Sequence, residues 1–149
     1  MFHNYMLLFL RRVKINIFFV KLFFIYIMYM SCLFNSLSYF INEDSYKIRQ
    51  KICDYLQENK PIIEDLDTSE VLKFENNDVN MYIKNMRSMS TWGGAIEIQC
   101  ACNIWNIQIN VSNYRNVGSK IIEFIPLNGN NTKIINIYWT GGHYEPIKT

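Results

Sequence analysis

Three short stretches hold the residues whose chemistry stands out. Ser31-Cys32-Leu33-Phe34-Asn35-Ser36-Leu37 puts a cysteine at the first turn of a predicted helix. A thiol there faces the positive end of the helix dipole and backbone N–H groups without helical partners. Both lower its pKa, and the thiolate is the reactive species. The plainer fate of a lone cysteine is that of a small buried hydrophobe. Gly141-Gly142-His143-Tyr144-Glu145 puts a histidine on a predicted strand, where residues two apart share a face. Glu145 can then fix the tautomer of His143 and stabilise its charged form. Gly141 and Gly142 would let a substrate backbone approach closely; the plainer reading is a turn followed by a surface histidine. In Trp92-Gly93-Gly94-Ala95-Ile96-Glu97, Gly94 serves as N-cap, so Glu97 falls at the third helical position and can reach back to the cap N–H. Trp92 is expected as a core anchor. A helix-borne cysteine near the start and a strand-borne histidine near the end could pair as a thiol nucleophile and its base.

These residues must be held by one modest core, because 149 residues allow a single domain. Half the residues are apolar, which argues against wholesale disorder. The net charge of +2 hides an asymmetry. Residues 1–30 carry Arg11, Arg12, Lys14 and Lys21 and no acid, which leaves 11 basic and 13 acidic groups for residues 31–149. The body therefore offers no basic surface, and nucleic acid is excluded as a partner. The four cysteines, Cys32, Cys53, Cys100 and Cys102, match no zinc spacing, and His3 and His143 are the only histidines. A reduced interior with one special thiol, no metal and no cofactor is the expectation.

Residues 1–30 form a basic, apolar leader. Ile15 to Met30 is apolar except for Asn16 and Lys21, as in a signal peptide or signal anchor. The run is short for a span, which needs about 20 apolar residues. A membrane segment and a buried or spurious N-terminus both remain open, with Met28 and Met30 as internal starts. Without a membrane anchor, a cytoplasmic monomer is expected.

Residues 31–149 read as an α+β domain. Helices are predicted over 32–41, from Asp44 or Ser45 to about Glu58, from Asn77 or Asp78 through Met86, and from Gly94 to about Trp105. The last is expected to bury Ile96, Cys100 and Ile104. Pro61 and the acidic stretch Glu64 to Glu70 read as a solvated loop. Alternation over Ile107, Ile109 and Val111 predicts a strand, followed by strands at Lys120 to Ile125 and Lys133 to Trp139. The turn-rich loop Pro126 to Thr132 suits a hairpin between the last two. His143 to Ile147 is a candidate closing strand.

In this order, Cys32-Leu33-Phe34, Trp92-Gly93-Gly94 with Glu97, and His143-Tyr144 resemble the OTU (ovarian tumour) cysteine proteases over about Ser31 to Ile147. The resemblance implies a papain-like α+β fold with a small, mostly antiparallel sheet flanked by helices. It implies a deubiquitinase acting on isopeptide bonds at the C-terminus of ubiquitin or a ubiquitin-like protein. Cys32 would be the nucleophile, His143 the base and Glu145 its orienting carboxylate. Backbone N–H groups of Met30, Ser31 and Cys32 would form the oxyanion hole. Trp92, Gly93, Gly94, Glu97, Gly141, Gly142 and Tyr144 would line the substrate channel or support it. Two positions depart from the family pattern. Tyr29-Met30-Ser31 replaces an Asp-Gly pair before the cysteine, and Glu145 stands where Asp or Asn is usual. A ubiquitin-binding pseudoenzyme and a small membrane-anchored protein without thiol chemistry are the alternatives.

Overall fold

The structure is a computed structural model that describes residues 17–115 and 120–149. Among the described residues six helices precede a four-stranded sheet: α1 (Ile17–Met30), α2 (Cys32–Phe40), α3 (Ser45–Gln57), α4 (Thr68–Glu75), α5 (Val79–Met86), α6 (Ala95–Trp105), then β1 (Ile107–Asn113), β2 (Lys120–Phe124), β3 (Lys133–Trp139) and β4 (Tyr144–Pro146). Local chemistry sets several starts. The side chains of Asp44, Asp67 and Asp78 accept backbone N–H groups from Lys47, Ser69 and Met81 in the first turns of α3, α4 and α5. Helix α4 begins in the stretch expected to be loop and continues past it to Glu75. Only Thr68 and Leu72 of it are buried, so it shows no apolar stripe of the kind that marks a helix in sequence.

The helices cover one face of the sheet. Ile107, Ile109 and Val111 of β1 and Ile135 and Ile137 of β3 point into the core, against Leu33, Phe34 and Leu37 of α2 and Ile48, Ile52 and Leu56 of α3. On the opposite face Asn110 and Asn136 bond to each other at 3.1 Å. Helix α6 is wedged between α3 and the sheet, so its buried arc is wide and rotated from the expected one. Glu97, Ile98, Cys100, Ala101 and Cys102 are buried, whereas Ile96 and Ile104 are only partly so.

The strand order is β2-β1-β3-β4. β1 pairs antiparallel with β2 and parallel with β3, and β3 pairs antiparallel with β4. Residues 126–132 are therefore a crossover and not a hairpin turn. β2 ends beside the start of β1, with Phe124 opposite Ile109. The chain must then pass that end of β1 to reach its other side. Asn106 anchors the crossing: its carbonyl accepts from the Thr132 N–H at 2.9 Å, and its side chain accepts from Asn128 at 2.9 Å.

Helix α1 continues straight into the site. Its side chains are apolar apart from Lys21, and Leu22, Phe23, Phe24, Ile25, Tyr26 and Met28 are exposed. Among the described residues no single helix is long and apolar enough to cross a membrane; α1 and α2 together form an apolar pair bent by 69°. Arg11, Arg12 and Lys14 of the leader lie outside the described residues.

Candidate active site

Helix α2 and strand β4 pack directly on each other, and this contact builds the site. Cys32 opens α2 and is 7% exposed. The backbone N–H of Tyr144 donates to its Sγ at 3.4 Å. His143 immediately precedes β4, and its Nε2 lies 3.1 Å from Glu145 Oε1. The other ring nitrogen, Nδ1, is buried and has no hydrogen-bond partner among the described residues. With Nε2–H donating to the carboxylate, Nδ1 presents its lone pair. Cys32, His143, Tyr144 and Glu145 line one cleft of about 370 Å³, whose opposite wall is Ile25, Met28 and Tyr29 of α1. Cys32 also borders a second cavity of about 180 Å³, lined by Trp92, Gly93, Trp139, Gly141, Gly142 and Tyr144. The cysteine thus sits between two openings.

The turn from β3 into β4 sets the histidine. The Thr140 N–H donates to the His143 carbonyl at 3.1 Å, and Gly141 has φ +101°, which side chains rarely adopt. Gly93 has a packing reason. A Cβ there would lie 2.8 Å from Leu33 Cδ2 and 2.9 Å from Phe34 Cε2. Gly94 has no such neighbour. Glu97 carries out the capping expected of it: its carboxylate accepts from the Gly94 N–H at 2.7 Å and from the Tyr82 hydroxyl at 2.7 Å. It is buried, and burial raises its pKa against the lowering effect of those bonds.

Three expectations change. Ser31 and Met30 do not form an oxyanion loop, because α1 runs through Met30 and the Ser31 N–H donates to the Ile27 carbonyl at 3.0 Å. The Ser31 hydroxyl turns away to the Met89 carbonyl at 2.9 Å, so α2 has no side-chain cap. The N–H groups of Cys32 and Leu33 at the first turn of α2 remain turned toward the thiol. Second, the Cys32 pKa is raised and not lowered. Desolvation outweighs the Tyr144, Leu33 and Cys32 N–H groups and the nearby Arg49 charge. Third, Trp92 is not a core anchor. It is 48% exposed at the rim of the second cavity, with its ring edge-on to Tyr29 at 6.0 Å.

Two residues not foreseen as participants adjoin the site. Tyr29, in place of the acidic family residue, stacks on the His143 ring with centroids 5.3 Å apart and planes 12° apart. Arg49 is buried behind Ser31. Its sequence signal was position: Ile52, Cys53 and Leu56, three, four and seven residues on, all lie on the buried stripe of α3.

The profile of the OTU-like cysteine protease family matches residues 31–144, more than half the chain. The chain belongs to the OTU-like cysteine protease family. No curated protein matches it. Among solved structures it is similar to an OTU domain in complex with ubiquitin, at 26% identity and TM-score 0.62 over 78% of this chain. The chain spans 62% of the length of that domain. It shares its fold with a ubiquitin-bound OTU deubiquitinase from Wolbachia pipientis wMel, at 20% identity and TM-score 0.57, covering 80% of this chain and 90% of that one. The viral OTU protease of Dera Ghazi Khan virus is alike at 20% identity and TM-score 0.57, covering 79% and 76%. The papain-like α+β fold of the family is thus the fold of this chain, with a mixed sheet in which two of three strand pairings are antiparallel.

In this OTU domain the exposure of Trp92 alters what its removal should do. Trp92→Ala is expected to shift the melting temperature by only a few degrees, because a half-exposed ring contributes far less than the roughly 3–5 kcal/mol of a buried one. Substrate KM should rise instead. A loss of stability near the buried-ring value would assign Trp92 to the core after all.

Proposed function

We propose that this OTU protein is a cysteine-type deubiquitinase that hydrolyses isopeptide bonds at the C-terminus of ubiquitin or a ubiquitin-like protein. The observation that carries this reading is the buried, unpartnered Nδ1 of His143, held opposite Glu145 in the cleft that Cys32 shares. Because burial keeps the resting thiol neutral, His143 acts as general base during attack. The Cys32 sulfur bonds to the carbonyl carbon as His143 takes the thiol proton. The N–H groups of Cys32 and Leu33 receive the oxyanion. His143 returns the proton to the departing lysine amine, leaving a thioester. Water, deprotonated by His143, cleaves that thioester and restores the thiol, with a free carboxylate as product. An extended tail would run through both openings, crossing Cys32 between them.

A ubiquitin probe with a thiol-reactive C-terminus tests the reading: the expected result is one adduct, mapped to Cys32. Binding of ubiquitin without labelling would favour the pseudoenzyme reading, which the helical Met30 and the bond of the Ser31 N–H to the Ile27 carbonyl support.

Glu145 is the proposed orienting group, in register opposite Tyr138 across β3 and β4. Glu145→Gln is expected to lower kcat by about ten- to a hundredfold with little change in KM, since the loss falls on the imidazole and not on the substrate surface. Glu145→Asp should retain most activity. A silent Glu145→Gln would mean that the group orienting His143 lies elsewhere.

The leader is proposed as a membrane attachment for the same domain. The exposed apolar side chains of α1 and the four basic, acid-free charges of residues 1–30 support it. Carbonate extraction of the expressed full chain tests it; release into the soluble fraction would remove the proposal.

A further inference from the structure

Among the described residues two charged-type side chains, Arg49 and Glu97, are buried to 1% exposure, and Arg49 is the larger. A buried charge is costly unless something compensates it. Among the described residues no carboxylate lies in ion-pair range of this guanidinium. Its partners are neutral. Nη1 donates to the Met86 carbonyl at 2.9 Å, Nη2 donates to the Ser31 hydroxyl at 3.2 Å, and Cζ lies 3.8 Å from the Phe34 ring centroid. Ser31 and Phe34 flank Cys32 on the same helical turn, and the Ser31 hydroxyl passes the connection on to the Met89 carbonyl. The cation is thus held one residue from the thiol by a chain of bonds that ends in no anion.

We propose that Arg49 is a positioning residue of the thiol centre, fixing Ser31 at the start of α2 and supplying the buried positive charge against which the Cys32 thiolate forms. This rests on the assignment of Cys32 as nucleophile. A carboxylate partner would neutralise Arg49 and cancel its effect at the thiol; the hydroxyl, carbonyl and ring that hold it leave its field available. The direction of its influence agrees: Arg49 lowers the Cys32 pKa against the larger upward push of burial. Desolvation also brings Arg49 itself down to about 10, so it stays cationic at neutral pH. The other groups that bear on the pair are Tyr29 at the end of α1, Cys53 on α3, Glu97 on α6, and His143, Tyr144 and Glu145 around β4. Glu97 is the acid whose charge acts on Arg49; its oxygens bond to Tyr82 and the Gly94 N–H and not to the guanidinium.

The test is the pH profile of Cys32 alkylation by iodoacetamide, read on the intact full chain by peptide mass. Cys53, Cys100 and Cys102 are fully buried, which leaves Cys32 as the reactive thiol. Three variants separate charge from hydrogen bonding. Arg49→Met removes both. Arg49→Gln keeps a donor for Ser31 and Met86 without the charge. Arg49→Lys keeps the charge. The two neutral variants are expected to raise the alkylation midpoint by about one pH unit and so to slow the reaction about tenfold at a fixed lower pH. Arg49→Lys should keep the midpoint of the parent protein. A structural role alone would show the reverse ranking, with Gln rescuing and Lys not. Should Arg49→Met fail to melt cooperatively, Arg49→Gln carries the test, since it retains the bonds that hold the fold. A folded neutral variant with the parent midpoint overturns the proposal. Alkylation needs no ubiquitin, so a parent protein that alkylates normally but cleaves no ubiquitin substrate would sink the deubiquitinase reading and leave this one standing.

Discussion

Cys32→Ala and His143→Ala are each expected to lower hydrolysis of a ubiquitin substrate by at least about a thousandfold, with the fold and ubiquitin affinity retained. The expectation follows from acting as a unit: a base without its nucleophile, or a neutral buried thiol without its base, gives almost none of the acceleration of the pair. The raised thiol pKa makes the dependence on His143 steeper, because little thiolate exists before proton transfer. Cys53→Ala, Cys100→Ala and Cys102→Ser should leave kcat largely intact, since burial pushes these thiols up, to about 12 for Cys53 and Cys102, and none touches the cleft. Substantial turnover by folded Cys32→Ala would end the thiol-protease assignment.

The second large effect is expected from a single methyl group. Gly93→Ala places a Cβ within 3.0 Å of three side-chain atoms of Leu33 and Phe34, the two residues that follow Cys32. Both side chains are fully buried, and Phe34 is also held against Arg49, so neither can give way without moving α2. Overpacking of this kind costs roughly 1–3 kcal/mol, a fall in Tm on the order of 5–10 °C for a domain of this size. Activity should fall further than stability does, because the displaced helix turn carries Cys32, the proposed nucleophile. Gly94→Ala, with open space at its Cβ, is the control and should change neither by much. A Gly93→Ala protein with parental Tm and kcat would show that α2 accommodates the methyl freely.

The parts of the fold legible in sequence were those decided within a few residues. Asp44 and Asp78 announce their helices because capping is local, and Glu97 announces its bond to Gly94 for the same reason. The alternation of Ile107, Ile109 and Val111 likewise marks β1. What could not be read depends on distant packing. The parallel pairing of β1 with β3 reflects which strand lies beside which, and residues 126–132 contain the turn chemistry of a hairpin while performing a crossover. Trp92 has the residue type of a core anchor, yet it stands half-exposed at the rim of the second cavity. The dipole at Cys32 was visible in the pattern, whereas the desolvation that outweighs it is a property of the assembled domain. That Cys32, His143 and Glu145 meet in one cleft matches what their order and the two-residue spacing of His143 and Glu145 suggest. The loss of Ser31 as an oxyanion donor was not legible, because it depends on α1 extending to Met30 so that the Ser31 N–H bonds to Ile27.

The bond from the Tyr144 N–H to the Cys32 sulfur joins positions 112 residues apart in the chain. In folding terms it is a contact of very long range. The entropy of closing so long a loop must be met before the contact returns any energy, and contacts of large sequence separation slow folding in general. During synthesis the thiol emerges with α2, long before β4 exists, so a partly made chain carries Cys32 without the proposed base. On this reading chemical competence arrives only with β4. An arrested chain ending before His143 should leave its cysteine unlabelled by the ubiquitin probe, whereas labelling of such a chain would show that Cys32 is armed without β4.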